Sequence, residues 1–356
     1  MPLFTTAPRS LCLLRLSAIG DCVHAVALVQ AIQRQWPATR LTWIMGKVEA
    51  GLLGDLPGVE VIVFDKKLGW RGYLQIWRQL KGRHFDALLH LQSALRASLL
   101  SLGVRARYRL GFDAERAGDG QRWFTNHKVA SPASPHVLDG FMAFARELGI
   151  RDLTPTWQIP TTPEQEQWAS AQLDAQRPTL LIAPAASKAF KNWTVEGYAA
   201  VARHAMAQGF AVLLCGGPSP LEKSLGAQIC ALCPQPPRNL IGQTNLKQLM
   251  ALIKQVQLVL APDTGPTHMA TAAGVPVIGL YAHHNPQRTG PYLCRDQVVS
   301  VYKQLVEEEH GKAVTQLPWR TRVRSGQAMT RIGIEEVQQM FDRVCAKCHP
   351  TTATKR

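Results

Sequence analysis

The sequence predicts an α/β protein made of two doubly wound parallel-sheet domains facing a cleft. Three observations lead there. Short, fully apolar runs alternate with segments of helical period along the chain, the pattern of strands covered by helices on both faces. At 356 residues the chain exceeds what one hydrophobic core usually supports. A polar stretch between Gly149 and Pro163, punctuated by Thr154-Pro155, Ile159-Pro160 and Thr162-Pro163, interrupts the alternation at mid-chain as linkers do. The expected division is a first domain over 1–155, a second over 156–335, and a C-terminal helix and tail over 336–356.

The first half opens with a strand at Leu11–Leu16, a loop at Ser17–Asp21 and a helix. In that helix Ala25, Leu28, Val29, Ile32 and Trp36 recur at the spacing of one buried stripe, and Pro37 helps to stop it. Strands follow at Leu41–Met45 and Val59–Phe64, a helix near Tyr73–Leu80, a strand at Phe85–Leu91, and another helix. The second half restarts with a strand at Thr179–Ile182, a helix at about Val195–Gln208, a strand at Ala211–Leu214 and a helix around Leu221–Leu232. A short strand near Asn239–Ile241 precedes a helix with Leu246, Leu249, Met250 and Ile253 on one face. The apolar run Leu258–Ala261 then stops at Asp263-Thr-Gly265, a short helix opens at Pro266 and closes at Gly274, and the run Val275–Leu280 follows. The last helix is expected at about Ile334–Val344. Ligands of such sheets bind beyond the carboxyl ends of the strands.

Composition narrows the function classes. With 46% hydrophobic and 18% charged residues the chain is an ordinary globular protein. No apolar run approaches the ~20 residues of a bilayer span, and Leu11–Leu14, bracketed by Arg9 and Arg15, is too short for a secretory signal. A cytosolic protein with reduced thiols is the expectation. Cys345-Ala-Lys-Cys-His349 has the spacing of haem attachment, and with Cys230/Cys233 the cysteine pairs could form a zinc site, but nothing predicts that the pairs meet. The net charge is +15, and thirteen Lys and Arg against four acids lie between Lys66 and Lys128. Such a field attracts polyanions: a nucleic acid, an anionic membrane surface or a phosphorylated substrate. The aromatics of this region (among them Trp70, Tyr73, Trp77 and Trp123) fall mostly at strand or helix-core spacing, which argues against a base-stacking nucleic-acid surface.

Neither half carries Gly-x-Gly-x-x-Gly or Gly-x-x-x-x-Gly-Lys-Ser/Thr, which argues against a dehydrogenase and a P-loop NTPase. Asp263-Thr-Gly265 occurs once and leads into a helix, unlike the paired carboxylates of an aspartic protease. Instead Gly265 permits close backbone approach, the helix start offers N–H groups and partial positive charge, and Asp263, Thr264 and His268 add side-chain groups. The arrangement suits the phosphates and sugar of a nucleotide.

Two stretches resemble a known family. Leu14-Arg-Leu-Ser-Ala-Ile-Gly-Asp-Cys-Val-His24 is similar to the N-terminal motif of the bacterial heptosyltransferases, glycosyltransferase family 9. Asp263-Thr-Gly-Pro-Thr-His-Met-Ala-Thr-Ala-Ala-Gly-Val-Pro-Val-Ile-Gly-Leu-Tyr281 is similar to that family's donor motif. The resemblance runs over about residues 10–345. It implies two Rossmann-like domains of the GT-B type, the first binding the acceptor and the second the nucleotide sugar. It also implies inverting transfer of heptose from ADP-heptose to the Kdo or heptose inner core of lipopolysaccharide, with no metal or other cofactor. A GT-B enzyme with another nucleotide sugar or another acceptor is the alternative.

In that reading Asp21 is the base on the acceptor hydroxyl, the bland alternative being that it merely caps its helix. Lys191 is the phosphate-binding lysine, with Lys188 as substitute, and Ser187 stands where the family has a hydroxyl residue. Thr264 and Gly265 supply donors to the diphosphate, Asp263 takes heptose hydroxyls, and His268 orients the loop. Glu222 is placed on the ribose and Thr244 by the adenine. Lys66, Lys67, Arg71 and Arg116 meet an anionic lipid A–Kdo or inner-core acceptor, with peripheral contact to the cytoplasmic face of the inner membrane and no nucleic-acid partner. The chain departs from the family at Ala282-His-His-Asn-Pro286, where many members read Gly-Pro-Thr-Asp-Pro, and it lacks an acceptor-side arginine around His136–Gly140.

Overall fold

In a computed structural model the protein is described over residues 2–348, Cys348 by its backbone alone. It divides into two compact units that part between Pro160 and Thr161. The first contains β1 (Ser10–Leu14), α1 (Ile19–Gln35), β2 (Arg40–Gly46), α2 (Lys47–Leu53), β3 (Val59–Phe64), α3 (Trp70–Gln79), β4 (Phe85–His90), α4 (Leu95–Ser101), β5 (Ala106–Gly111), β6 (His127–Lys128) and α5 (Val137–Leu148). Its six strands are all parallel, in the order β3-β2-β1-β4-β5-β6. The second unit contains α6 (Pro163–Ser170), β7 (Thr179–Ile182), α7 (Val195–Ala207), β8 (Ala211–Leu214), α8 (Pro220–Ala231), β9 (Arg238–Asn239), α9 (Leu246–Ile253), β10 (Leu258–Pro262), α10 (Gly265–Ala273), β11 (Val277–Tyr281), α11 (Pro286–Thr289), β12 (Val298–Ser300), α12 (Tyr302–His310) and α13 (Ile334–Cys348). Its parallel order, β12-β11-β10-β7-β8-β9, repeats that of the first sheet. Each unit is therefore a Rossmann-like double winding, and its switch point lies between the first and fourth strands: β1 and β4 in one, β7 and β10 in the other.

The central strands are buried end to end, as covering helices on both faces require: Leu11–Leu14 in β1, Leu180–Ile182 in β7 and Leu258–Ala261 in β10. The Pro-rich segment belongs to the first unit further than its composition suggests. Trp157 Nε1 donates to the Val23 carbonyl at 3.0 Å, and Arg34 donates to the Thr156 hydroxyl at 2.6 Å, so residues beyond 155 are tied to α1. Likewise α13 is no appendage, because Val337, Phe341 and Val344 are buried in the core of the second unit with Trp193, Tyr198 and Phe210.

The thiols Cys12 and Cys215 are buried, and burial pushes each up to about 12. This suits packing rather than reaction. The haem-like spacing ends at His349, and with the side chain of Cys348 it lies outside the described residues. Among the described residues no helix is long and apolar enough to cross a membrane.

Candidate active site

At the first switch point, β1 delivers its chain to a loop that ends in the first turn of α1. The N-cap of α1 is Ala18, and no side chain caps the helix. Asp21 is the third helical residue, so capping does not explain it, although its charge favours the helix N-terminus. Its carboxylate pairs with the Arg15 guanidinium. Arg15 is fixed in turn, since its Nη1 donates to the Leu91 carbonyl beyond β4 at 2.6 Å and its guanidinium lies over the Phe141 ring at 5.5 Å. Gln92 clamps the same loop, accepting from the Leu16 amide at 2.7 Å. Asp21 keeps 31% of its side-chain surface exposed, so a rigid shell holds a carboxylate that solvent or substrate can reach.

At the second switch point, β10 ends at Pro262 and places Asp263 and Thr264 immediately before α10. The Thr267 hydroxyl donates to the Pro262 carbonyl at 2.7 Å and tightens the turn. Asp263 gathers a cluster. Lys191 Nζ lies 2.9 Å and His284 Nδ1 2.5 Å from the same carboxylate oxygen, Oδ2, while His268 Nε2 lies 4.0 Å from Oδ1. An N···O separation of 2.5 Å requires a proton between the atoms, so His284 Nδ1 carries it and donates to Asp263. Lys191, 3.2 Å from that nitrogen, therefore spends one of its three N–H groups on Asp263 and retains donors for a further anion. Burial alone would raise the Asp263 carboxyl, but the His284 hydrogen bond and the Lys191 charge outweigh it and hold the group well below the usual carboxylate range.

The loop carrying Lys191 is anchored at several points. Asn192 Oδ1 accepts from the Ala186 amide at 2.8 Å, Trp193 Nε1 donates to the Ile332 carbonyl at 3.1 Å, and the His283 ring lies 3.0 Å from the Phe190 carbonyl. Lys188 and Ser187 on the same loop are exposed. Of the two lysines, Lys191 is thus the one brought to Asp263.

The remaining expected residues are distributed unevenly. The Glu222 carboxylate folds back over the Gly216–Gly217 backbone, accepting from the Gly217 amide at 2.5 Å and from the Ser219 hydroxyl at 3.1 Å. A Cβ at either glycine would come within 2.9 Å of it. Glu222 is half-buried in the first turn of α8, and Thr244 is half-buried in the turn before α9. On the first unit Lys66, Lys67 and Arg71 are exposed. Arg116 differs from the exposed charge that the sequence suggests. It is buried, with its guanidinium on Asp113 at 3.2 Å and on the Ser134 carbonyl at 3.0 Å, so it ties a loop together rather than offering a free cation.

Three residues of the two clusters were not singled out from the sequence. Arg15 was visible as the first polar residue after a buried strand. His283 and His284 were visible only as a departure from a motif; their position just past the end of β11 puts His284 on Asp263 and His283 against the Phe190 carbonyl.

Residues 73–317 match glycosyltransferase family 9 (heptosyltransferase). The chain is 50% identical over 337 residues to the lipopolysaccharide core heptosyltransferase OpsX of Haemophilus influenzae, covering 95% of this chain and 97% of that protein. Among solved structures, a family 9 glycosyltransferase from Veillonella parvula superposes with a TM-score of 0.76 at 19% identity over 95% of this chain and 97% of that one. The ADP-heptose lps heptosyltransferase II of E. coli superposes with a TM-score of 0.70 at 20% identity, over 95% and 99%. The protein is a glycosyltransferase of the two-Rossmann GT-B kind. It belongs to family 9, the heptosyltransferases.

Proposed function

We propose that the protein transfers heptose from ADP-heptose to the Kdo or heptose inner core of lipopolysaccharide, with inversion and without a metal ion. The observation that carries this reading is the Lys191–Asp263–His284 cluster at the N-terminus of α10. It combines a lysine with N–H groups to spare, a helix start and a permanently ionised carboxylate, the donor and acceptor set that a sugar diphosphate needs. The 50% identity to a lipopolysaccharide core heptosyltransferase over most of both chains supports the substrate class.

In this mechanism Asp21 accepts the proton of the acceptor hydroxyl, whose oxygen bonds to the anomeric carbon of heptose as the bond from that carbon to the diphosphate oxygen breaks. ADP leaves from the opposite face, so the anomeric centre inverts. Arg15 orients the Asp21 carboxylate. Lys191 and the first N–H groups of α10, with Thr264 and Gly265, take up the charge that grows on the leaving diphosphate. Because Asp263 Oδ2 is already shared by Lys191 and His284, Oδ1 is the oxygen left to accept heptose hydroxyls. His268 orients this loop, Ser187 serves the phosphates, and Glu222 and Thr244 line the path to ribose and adenine. Lys66, Lys67 and Arg71 meet the anionic acceptor, while Arg116 shapes its loop. The place of work is the cytoplasmic face of the inner membrane.

Titrating the protein with ADP-heptose, UDP-sugars and GDP-sugars tests the donor. Selective binding of ADP-heptose is expected, and preference for a uridine or guanosine sugar would overturn the reading. Mass spectrometry of core oligosaccharide from a deletion strain tests the acceptor: heptose must be missing.

A further inference from the structure

Outside both clusters, α3 and α4 present an apolar face that the first unit does not bury. On α4 and its C-cap, Leu95 and Leu102 are 52% and 59% exposed and Leu99 between them is half-buried, one stripe at helical spacing, while Ala97, Ser98, Leu100 and Ser101 face the core. On α3, Trp70 is 58% exposed, stacked on Tyr73 with ring centroids 5.3 Å apart and edge-on to Trp77 at 5.2 Å. The stripes adjoin, because Tyr73 Oη lies 3.5 Å from the Arg96 carbonyl and Trp77 Nε1 donates to the Leu100 carbonyl at 3.0 Å. Leu68, in the turn before α3, is also exposed.

Cations flank this face. Lys66, Lys67, Arg71 and Arg96 are all exposed. Asp86 is the single acid between Lys66 and Phe112, and it is engaged by the Ser10 amide at 2.9 Å. The neighbouring Asp65 is likewise committed, accepting from the Lys67 amide at 2.9 Å and pairing with Lys47. Exposed leucines beside an indole, bordered by four exposed cations, match the boundary between acyl chains and anionic head groups. A second copy of the chain seated on this face by two-fold symmetry would bring the cationic border against itself.

We propose that the α3–α4 face seats the protein on an anionic phospholipid bilayer, with Trp70, Leu95 and Leu102 entering the head-group boundary and Lys66, Lys67, Arg71 and Arg96 on lipid phosphates. This deepens the peripheral placement proposed above and identifies the surface responsible. A lipid-linked acceptor would then be met from the membrane in which it resides.

The test is flotation of the full-length protein with vesicles of phosphatidylcholine mixed with phosphatidylglycerol, against vesicles of phosphatidylcholine alone. The wild type is expected to bind the anionic vesicles, less so with added salt, and to show a blue-shifted emission that Trp70→Phe removes. The triple variant Trp70→Ser, Leu95→Ser, Leu102→Ser should lose roughly tenfold or more in partitioning while its thermal midpoint and ADP-heptose affinity stay unchanged, since all three side chains are exposed. Equal partitioning of variant and wild type would overturn the proposal. So would failure of the wild type to bind anionic vesicles, or a wild-type dimer that the triple variant converts to monomer, which would assign the face to a second copy. Loss of selectivity for ADP-heptose with vesicle binding intact would refute the donor reading alone.

Discussion

The two switch points share one topology but surround their carboxylates with different numbers of cations. In both units the first and fourth strands of an identically ordered sheet pair side by side, and a carboxylate stands beyond their ends. Asp21 has one cationic partner, Arg15, and retains 31% of its side-chain surface. Asp263 retains 15% and shares one oxygen between Lys191 and His284, with His268 near the other. A carboxylate enclosed by cations at fixed distances is a permanent acceptor and a scaffold for the lysine. One held from a single side by an arginine, with surface left over, can meet a hydroxyl. The difference teaches that the same strand-loop-helix geometry yields a proton acceptor or an anion cradle according to how many cations the neighbouring loops supply.

The sharpest way to break the comparison is Asp21→Ala. It should lower turnover by ~10²–10⁴-fold, the range for a lost general base, while the calorimetric affinity for ADP-heptose barely changes. Collapse of donor affinity with surviving single-turnover chemistry would mean that Asp21 is not the base. Next in size is Lys191→Ala, expected to weaken both ADP and ADP-heptose about ten- to hundredfold and to slow turnover, because a charge-assisted contact to phosphate is lost. Lys188→Ala should leave both quantities as they are, and the reverse pattern would place the phosphate contact on the exposed lysine. A smaller effect belongs to His284→Ala. It removes one of the two groups on Asp263 Oδ2 and should cost up to about tenfold in donor affinity, about 1.4 kcal/mol, with the turnover of saturated enzyme less affected.

Acid should separate the units too. His90 is buried in the first unit, within 3.2 Å of the Ser98 hydroxyl and 3.3 Å of the Gln121 amide, and burial with the nearby Arg109 charge lowers its pKa from 6.5 to about 3. The native state therefore holds His90 neutral. Its contribution is fully present above pH 6.5 and is lost as pH falls from there towards 3, because the unfolded chain takes up the proton first. Asp263, lowered from 3.8, keeps its contribution until the pH falls below the usual carboxylate range. Unfolding followed by amide exchange should show protection in the first unit declining between pH 6 and 4 while the Asp263 region holds, and His90→Gln should flatten that slope. If both regions weaken in parallel and the variant changes nothing, His90 is not the cause.

The smallest expected effect is that of neutralising Lys66, Lys67 and Arg71. The acceptor KM should rise and donor affinity should not, by about 1 kcal/mol at most for the three exposed charges together. Added salt should act less on the variant than on the wild type. An unchanged KM on a short, detergent-soluble acceptor would remove these cations from direct contact and leave them to the membrane surface alone.

The alternation of buried strands and striped helices was legible in the sequence because burial on both faces of a parallel sheet restricts strand composition wherever the strand occurs. Asp263 stands directly after an apolar run, where such sheets place their ligands, whereas Asp21 and Lys191 were expected only through the family resemblance. What tertiary structure alone decided was partnership. Arg15 meets Asp21 six residues later across a turn, and Lys191 meets Asp263 and His284, 72 and 93 residues further along the chain. Arg116 and Trp70 exchanged the roles that composition suggested: the arginine is buried on Asp113, while the indole stands exposed. Periodicity reports which face of an element is apolar, but whether a neighbouring element covers that face, or delivers a counter-charge to it, depends on the packing of segments that are distant in sequence.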